Sequence, residues 1–245
     1  QYCTIQHPQR GKIKFKLYPF QYDVLKEYQE HDYNIILKSR QLGISTLSAA
    51  YSLWMMLFQN DKNILCIATT KDTAKNLVTK VRIMYEGLPV WLKTAIVENN
   101  KLSLVFKNGS QIKAIASNES AGRSEALSLL ILDEAAFIDK IDTIWTAAQQ
   151  TLATGGRCLA ISTPNGVGNW FHKTWVDAKD GLNKFNTVKL HWTCHPERDQ
   201  EWRDEQTKNL GPTQAAQECD ADFLSSGRSV VDPLILEWYK AVSYT

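Results

Sequence analysis

The sequence lacks any long apolar run. The longest candidate, Ala49 to Phe58, contains Tyr51 and Ser52 and falls short of the roughly 18 residues that cross a bilayer. No signal-peptide pattern opens the chain. Cysteine is sparse: Cys3, Cys66, Cys158, Cys194 and Cys219 are odd in number and scattered. That excludes a disulfide framework and fits a reducing compartment. Cys66 and Cys158 sit in apolar runs and read as inert core residues. An excess of one charge is also missing. Lys plus Arg number 28 against 26 Asp plus Glu, a net charge of +2. This excludes a histone-like polycation and leaves a local basic patch open. Internal repeats and low-complexity tracts are absent. The first residue is Gln1 rather than Met, so the chain reads as an excised fragment.

What is present is an ordinary globular composition, 245 residues with 44% hydrophobic and 22% charged. That length buries a large core, as one α/β domain with or without a small appendage. Strand and helix signals alternate. Strands are expected at Asn34–Leu37, Ile64–Ala68, Leu129–Leu132, Cys158–Ile161 and Val188–Trp192. Helices are expected at Ser45–Asn60, Lys71–Glu86, Ile141–Thr154 and Trp170–Lys179. Leu102–Phe106 and Gln111–Ala116 flank Asn108-Gly109, a strong hairpin signal. Continuous apolar strands between helices imply a mainly parallel sheet covered on both faces. From about Pro196 the character changes. Glu197–Leu210 is polar and helical, Gly211-Pro212 breaks it, and Ser225-Ser226-Gly227 resembles a linker.

Ile36-Leu37-Lys38-Ser39-Arg40-Gln41-Leu42-Gly43-Ile44-Ser45-Thr46 runs from a strand into a helix, where a phosphate-binding Walker A loop belongs. Gly43 and Ser45 fit G-x-x-x-x-G-K-[ST], and the Ser45 hydroxyl suits Mg²⁺. Ile44 stands in place of the lysine, and Lys38 in place of the first glycine. Two readings stay open: a degenerate, non-binding loop, or one whose cation is displaced to Lys38 or Arg40.

Ser128-Leu-Leu-Ile-Leu-Asp133-Glu134-Ala135-Ala136 is an apolar strand ending in two acids. This is the Walker B pattern, with Asp133 for the Mg²⁺ hydration shell and Glu134 for the attacking water. The plainer reading is a helix cap followed by a first-turn acid. Both motifs follow strands, and open parallel sheets bind ligands outside the carboxyl ends of their strands. Tyr18-Pro19-Phe20-Gln21 offers an aromatic to stack on adenine and an amide to pair with its edge; it equally reads as a helix start. Ser162-Thr163-Pro164-Asn165-Gly166 is either a γ-phosphate sensor or a plain turn. Arg123, in Ser120–Ser124, is either an arginine finger for a neighbouring subunit or a solvated side chain. His191, Cys194 and His195 look like metal ligands but lack a fourth partner at zinc spacing. Lys71, Lys75 and Lys80 read as a solvated helix face rather than a DNA track.

Taken together, Lys38–Thr46, Leu129–Ile138 and Ser162–Gly166 resemble the ATPase domain of the large terminase subunit of tailed bacteriophages, over roughly Tyr18–Gly227. The resemblance implies an α/β P-loop NTPase fold of the ASCE type. Its ATPase core would span residues 1–195, and a linker or lid subdomain residues 196–245. It implies ATP and Mg²⁺ as cofactors. Tyr18, Phe20, Gln21, Ser39, Gln41, Leu42, Gly43, Ile44, Ser45 and Thr46 would contact nucleotide, and Ser45 and Asp133 the metal. Glu134, Lys38, Arg40 and Arg123 would be catalytic, and Ser162, Thr163, Pro164 and Asn165 would couple hydrolysis to movement. Implied partners are viral double-stranded DNA, the portal and procapsid, the small terminase subunit and neighbouring copies in a ring, a pentamer, with a monomer in isolation. No membrane partner is expected, and the place of action is the host cytoplasm. The family's nuclease domain is not expected in this fragment. Two rival readings are a helicase-like remodelling ATPase and a non-catalytic nucleotide-binding module.

Overall fold

The computed structural model describes residues 2–7, 9–117 and 126–223. A hairpin of β1 (Thr4–His7) and β2 (Gly11–Lys14) precedes helix α1 (Pro19–Glu30). Strand β3 (Tyr33–Lys38) leads into α2 (Ile44–Phe58), and β4 (Asn63–Ala68) into α3 (Lys71–Glu86). Three strands follow, β5 (Ile96–Asn99), β6 (Ser103–Phe106) and β7 (Gln111–Ala116). Then come β8 (Leu129–Asp133), α4 (Ile141–Leu152), β9 (Arg157–Ser162), α5 (Trp170–Lys179) and β10 (Asn186–Leu190). Helices α6 (Gln200–Leu210) and α7 (Pro212–Ala215) run into a π-helical turn, Ala216–Asp220.

Eight strands form one sheet in the order β10-β3-β9-β8-β4-β7-β6-β5. The six from β10 to β7 are parallel, and β6 and β5 add an antiparallel edge. The pleat sends alternate side chains to opposite faces. Ile36, Ile64, Cys66 and Ile131 pack under α1, α2 and α3 with Val24, Leu47, Met56 and Val78. Ile35, Leu37, Leu65, Ile67, Leu130 and Leu132 pack on the other face with Ile144, Ala148, Phe171 and Trp175. The sheet is thus buried on both sides, as its unbroken apolar strands require.

The expected elements are recovered with ends shifted by at most three residues, and Lys71–Glu86, Gln111–Ala116 and Trp170–Lys179 match at both ends. The Asn108-Gly109 hairpin has a further task. Asn108 Nδ2 donates to Met56 O at 2.8 Å and to Gln59 O at 3.2 Å, satisfying carbonyls at the end of α2. The β1–β2 hairpin and β5 were not expected as elements, and α1 was anticipated only as the alternative reading of Tyr18–Gln21 as a helix start. The short strands are half exposed and carry no apolar alternation. The signal for α1 is present: Phe20, Val24 and Tyr28 recur every four residues and are buried. Among the described residues no helix is long and apolar enough to cross a membrane.

Candidate active site

Strands β3, β8 and β9 run parallel, with β9 between the other two. Their carboxyl ends therefore deliver Lys38, Asp133 and Ser162 to the same edge of the sheet. That is the edge where open α/β sheets bind ligands.

The loop after β3 bends through Gln41, at φ 58°, and Gly43, at φ 73°. Gly43 is also packed: a Cβ there would lie 2.7 Å from Gln21 Nε2. Glycine meets both demands. Both ends of the Gln21 amide have a protein partner. Its Oε1 accepts from Tyr18 N at 3.1 Å and its Nε2 donates to Leu42 O at 2.9 Å. Gln21 was expected to pair with an adenine edge; each end of its amide has one protein partner and keeps one further donor or acceptor position. Gln21 thereby ties the loop to the start of α1. Leu42 and Ile44 were expected among the nucleotide contacts. Both side chains are buried in the core, so only their backbone faces the loop. The Tyr18 ring stacks on Phe20 at 5.9 Å and 7° and touches His195 at 4.6 Å. Phe20 lies beneath and is buried.

The acids are built as a pair with different surroundings. Asp133 ends β8, is buried, and accepts from Ser45 Oγ at 3.1 Å. Glu134 takes a left-handed backbone, φ 56° and ψ 48°, which is unusual for a residue with a Cβ and typical of a constrained functional position. That turn aims its carboxylate across the site. Oε1 accepts from Lys38 Nζ at 3.1 Å, and Oε2 from Thr163 N at 3.4 Å. Lys38 is buried here despite its charge. The segment after β9 is stitched to the same turn. Ser162 Oγ accepts from Ala136 N at 3.1 Å and Asn165 Nδ2 donates to Ala136 O at 3.1 Å.

Burial pushes the Asp133 carboxyl above its ordinary value, and the neighbouring Glu134 pushes it further; Lys38, Lys80 and the Ser45 hydroxyl oppose them. A cation bound at these oxygens would relieve that cost. A hydroxyl and a carboxylate are hard oxygen donors of the kind Mg²⁺ takes while keeping several waters. The residues present therefore fit the metal. Among the described residues no three His, Cys, Asp or Glu side chains gather as a metal cluster.

Arg40 is turned to Glu218: its Nη1 lies 2.9 Å from one carboxylate oxygen and 3.0 Å from the other. Thr46 lines a cavity of about 300 Å³ together with Lys80, a residue expected on a solvated helix face. Arg123 and Ser225–Gly227 lie outside the described residues. Glu218 and Arg198 join the loop from 157 to 179 residues away. No local pattern marks them.

A family model described as "Terminase large subunit, T4likevirus-type, N-terminal" matches residues 35–231. The large terminase subunit of Thermus virus P23-45 is 28% identical over 240 residues, covering 82% of this chain and 48% of that protein. The chain thus spans about half the length of this curated relative. The solved ATPase domain of the large terminase of Thermus phage P74-26 superposes with a TM-score of 0.70 at 24% identity, covering 85% of this chain and 94% of that one. A large terminase from another thermophilic bacteriophage, solved in complex with ADP, gives 0.67 at 14% identity, covering 83% of this chain and 52% of that one. The fold and the matched region agree, and the chain belongs to the large terminase subunit family, corresponding to its N-terminal part.

Proposed function

We propose that this chain is the motor ATPase domain of a large terminase, hydrolysing ATP to drive viral double-stranded DNA into a procapsid. The observation that carries the reading is the meeting of Lys38 and Glu134 at 3.1 Å beside the Ser45–Asp133 pair at 3.1 Å. A cation, a water-orienting carboxylate and a metal-binding pair then share one strand edge, which is what phosphoryl transfer requires.

The proposed roles are as follows. Ser45 and Asp133 would hold Mg²⁺, which would supply neutralising charge at the phosphates. Glu134 orients the attacking water and takes up its proton. Lys38 occupies the position from which the missing Walker lysine is replaced, with Arg40 as a second cation. The backbone N–H groups at the start of α2 face the phosphates. The Tyr18–Phe20 stack flanks the base. Ser162, Thr163, Pro164 and Asn165 report on Glu134 through the Thr163 N–H and the Ala136 turn. The proposed linker or lid subdomain is residues 196–245, of which 224–245 lie outside the described residues. Arg123, supplied to a neighbouring copy in a pentameric ring, completes the site. The chain is a monomer alone, assembles with the portal, procapsid and small subunit, and acts in the host cytoplasm.

Positioning and electrostatics supply most of the catalysis in such chemistry, so turnover without a ring and DNA is slow. The test is ATP-driven movement on duplex DNA. Translocation without strand separation supports a packaging motor. ATP-dependent unwinding of the duplex overturns it in favour of a helicase-like remodeller.

A further inference from the structure

Glu218 grips the phosphate loop at two places. Its backbone carbonyl accepts from Arg40 N at 2.7 Å and from Ser39 Oγ at 3.3 Å. Its carboxylate receives Arg40 Nη1 at 2.9 and 3.0 Å. Arg198 adds a second clamp. Its Nη2 donates to Arg40 O at 3.0 Å and Gln41 O at 3.2 Å, and its guanidinium lies 4.3 Å from the Trp202 ring centroid. The turn that carries Glu218 is fastened in turn to α6, where the Arg203 guanidinium meets both Asp220 oxygens at 2.7 and 2.6 Å.

The Arg40–Glu218 pair is asymmetric. The Arg40 side chain is 65% exposed, whereas that of Glu218 is 11% exposed. An exposed guanidinium can swing away at small cost. A buried carboxylate left behind without a counter-ion is strongly destabilising. Departure of Arg40 therefore leaves the mostly buried Glu218 carboxylate to turn toward water, which favours displacement of the turn that carries it. That turn is π-helical, a geometry rare in proteins and common at functional sites.

We propose that Glu218 is a positioning residue that competes with the nucleotide phosphates for Arg40, so that filling the phosphate site and releasing the Ala216–Asp220 turn are one event. The proposal rests on the reading of Lys38–Ser45 as a phosphate site. By reciprocity, a turn held on the loop weakens nucleotide binding, and bound nucleotide loosens the turn.

The test titrates Mg²⁺–ATPγS into the wild-type protein, Glu218→Gln, Arg40→Ala and the double variant. The amide keeps the shape of the glutamate and removes its charge. Glu218→Gln is expected to bind about 2- to 5-fold tighter than wild type, the range of a partly exposed ion pair. In the Arg40→Ala background the same substitution is expected to change nothing. A second readout needs no substitution: amide exchange within 212–223 of the wild type accelerates when Mg²⁺–ATPγS binds. Wild-type binding with Glu218→Gln equal or weaker overturns the competition and leaves the phosphate site standing, as does unchanged or slower exchange. No wild-type binding at all overturns the phosphate site, and the competition with it.

Discussion

The Lys38 ammonium lies 3.1 Å from Glu134 Oε1, although 96 residues separate them in the chain. Lys38 is the last residue of β3, and Glu134 follows β8 directly. The strand between them, β9, sets the distance that both side chains span. The Lys38 side chain is 6% exposed against 33% for Glu134. The cation is thus held inside the site while the carboxylate keeps access to water, which suits a fixed charge and a proton acceptor.

Lys38→Ala is expected to lower ATP turnover by about 10²- to 10³-fold, the loss typical of removing one charge-stabilising donor from a reaction centre. Arg40→Ala, whose guanidinium is turned to Glu218, is expected to lose less. Steady-state hydrolysis of the two variants side by side ranks the cations; equal losses would contradict the ranking.

Restoring the usual lysine at Ile44 is expected to harm the protein. Ile44 is buried in the core under the helices, and an unpaired ammonium there is costly. Ile44→Lys should lower the melting temperature and give no gain in turnover. Thermal unfolding followed by circular dichroism checks the first part, and a rise in activity would contradict the second.

Asp133→Asn is expected to stabilise the nucleotide-free protein by about 1–2 kcal/mol, within the range seen when strained functional groups are replaced. Burial and the neighbouring Glu134 both disfavour the Asp133 charge. The amide oxygen can still accept from Ser45 while removing that charge. The same variant should lose Mg²⁺-dependent nucleotide binding. A melting temperature below wild type would show that Asp133 is not under electrostatic strain.

Stability is expected to fall with acid. Burial lowers the titration of His172, His191 and His195, and it is the largest influence on each. The unfolded chain therefore takes up protons near the ordinary value of about 6.5 that the folded chain does not, and stability drops as pH falls through that range. Asp133 has the opposite sign: raised in the folded state, its contribution is present in acid and lost as pH rises through its folded value. Melting temperatures from about pH 8 to about pH 5 should be flat at first and then decline below about 6.5, with His195→Gln showing a shallower decline. A rise on acidification would contradict the assignment.

Much of this architecture was legible in the sequence because its signals are local. Leu129–Leu132 is buried on both faces and reads as an unbroken apolar strand. The Thr70 cap, whose side chain accepts from Thr73 N, fixes where α3 starts. The acid pair and the glycine of the loop announce themselves by neighbours in sequence. Glu218 and Arg198 do not, since their meaning comes only from packing against a loop far away in the chain. Gln21 shows the middle case. Its position before the loop was readable, but the contact of its amide with Leu42 O at 2.9 Å, and so its structural task, belongs to the folded chain.

The most direct measurement is Mg²⁺-dependent ATP hydrolysis by this chain, with Glu134→Gln beside it and nucleotide binding measured on both. The account predicts slow turnover in the wild type, at least about 100-fold less in the variant, and retained Mg²⁺–ATPγS binding in each. Undiminished turnover in Glu134→Gln would contradict it.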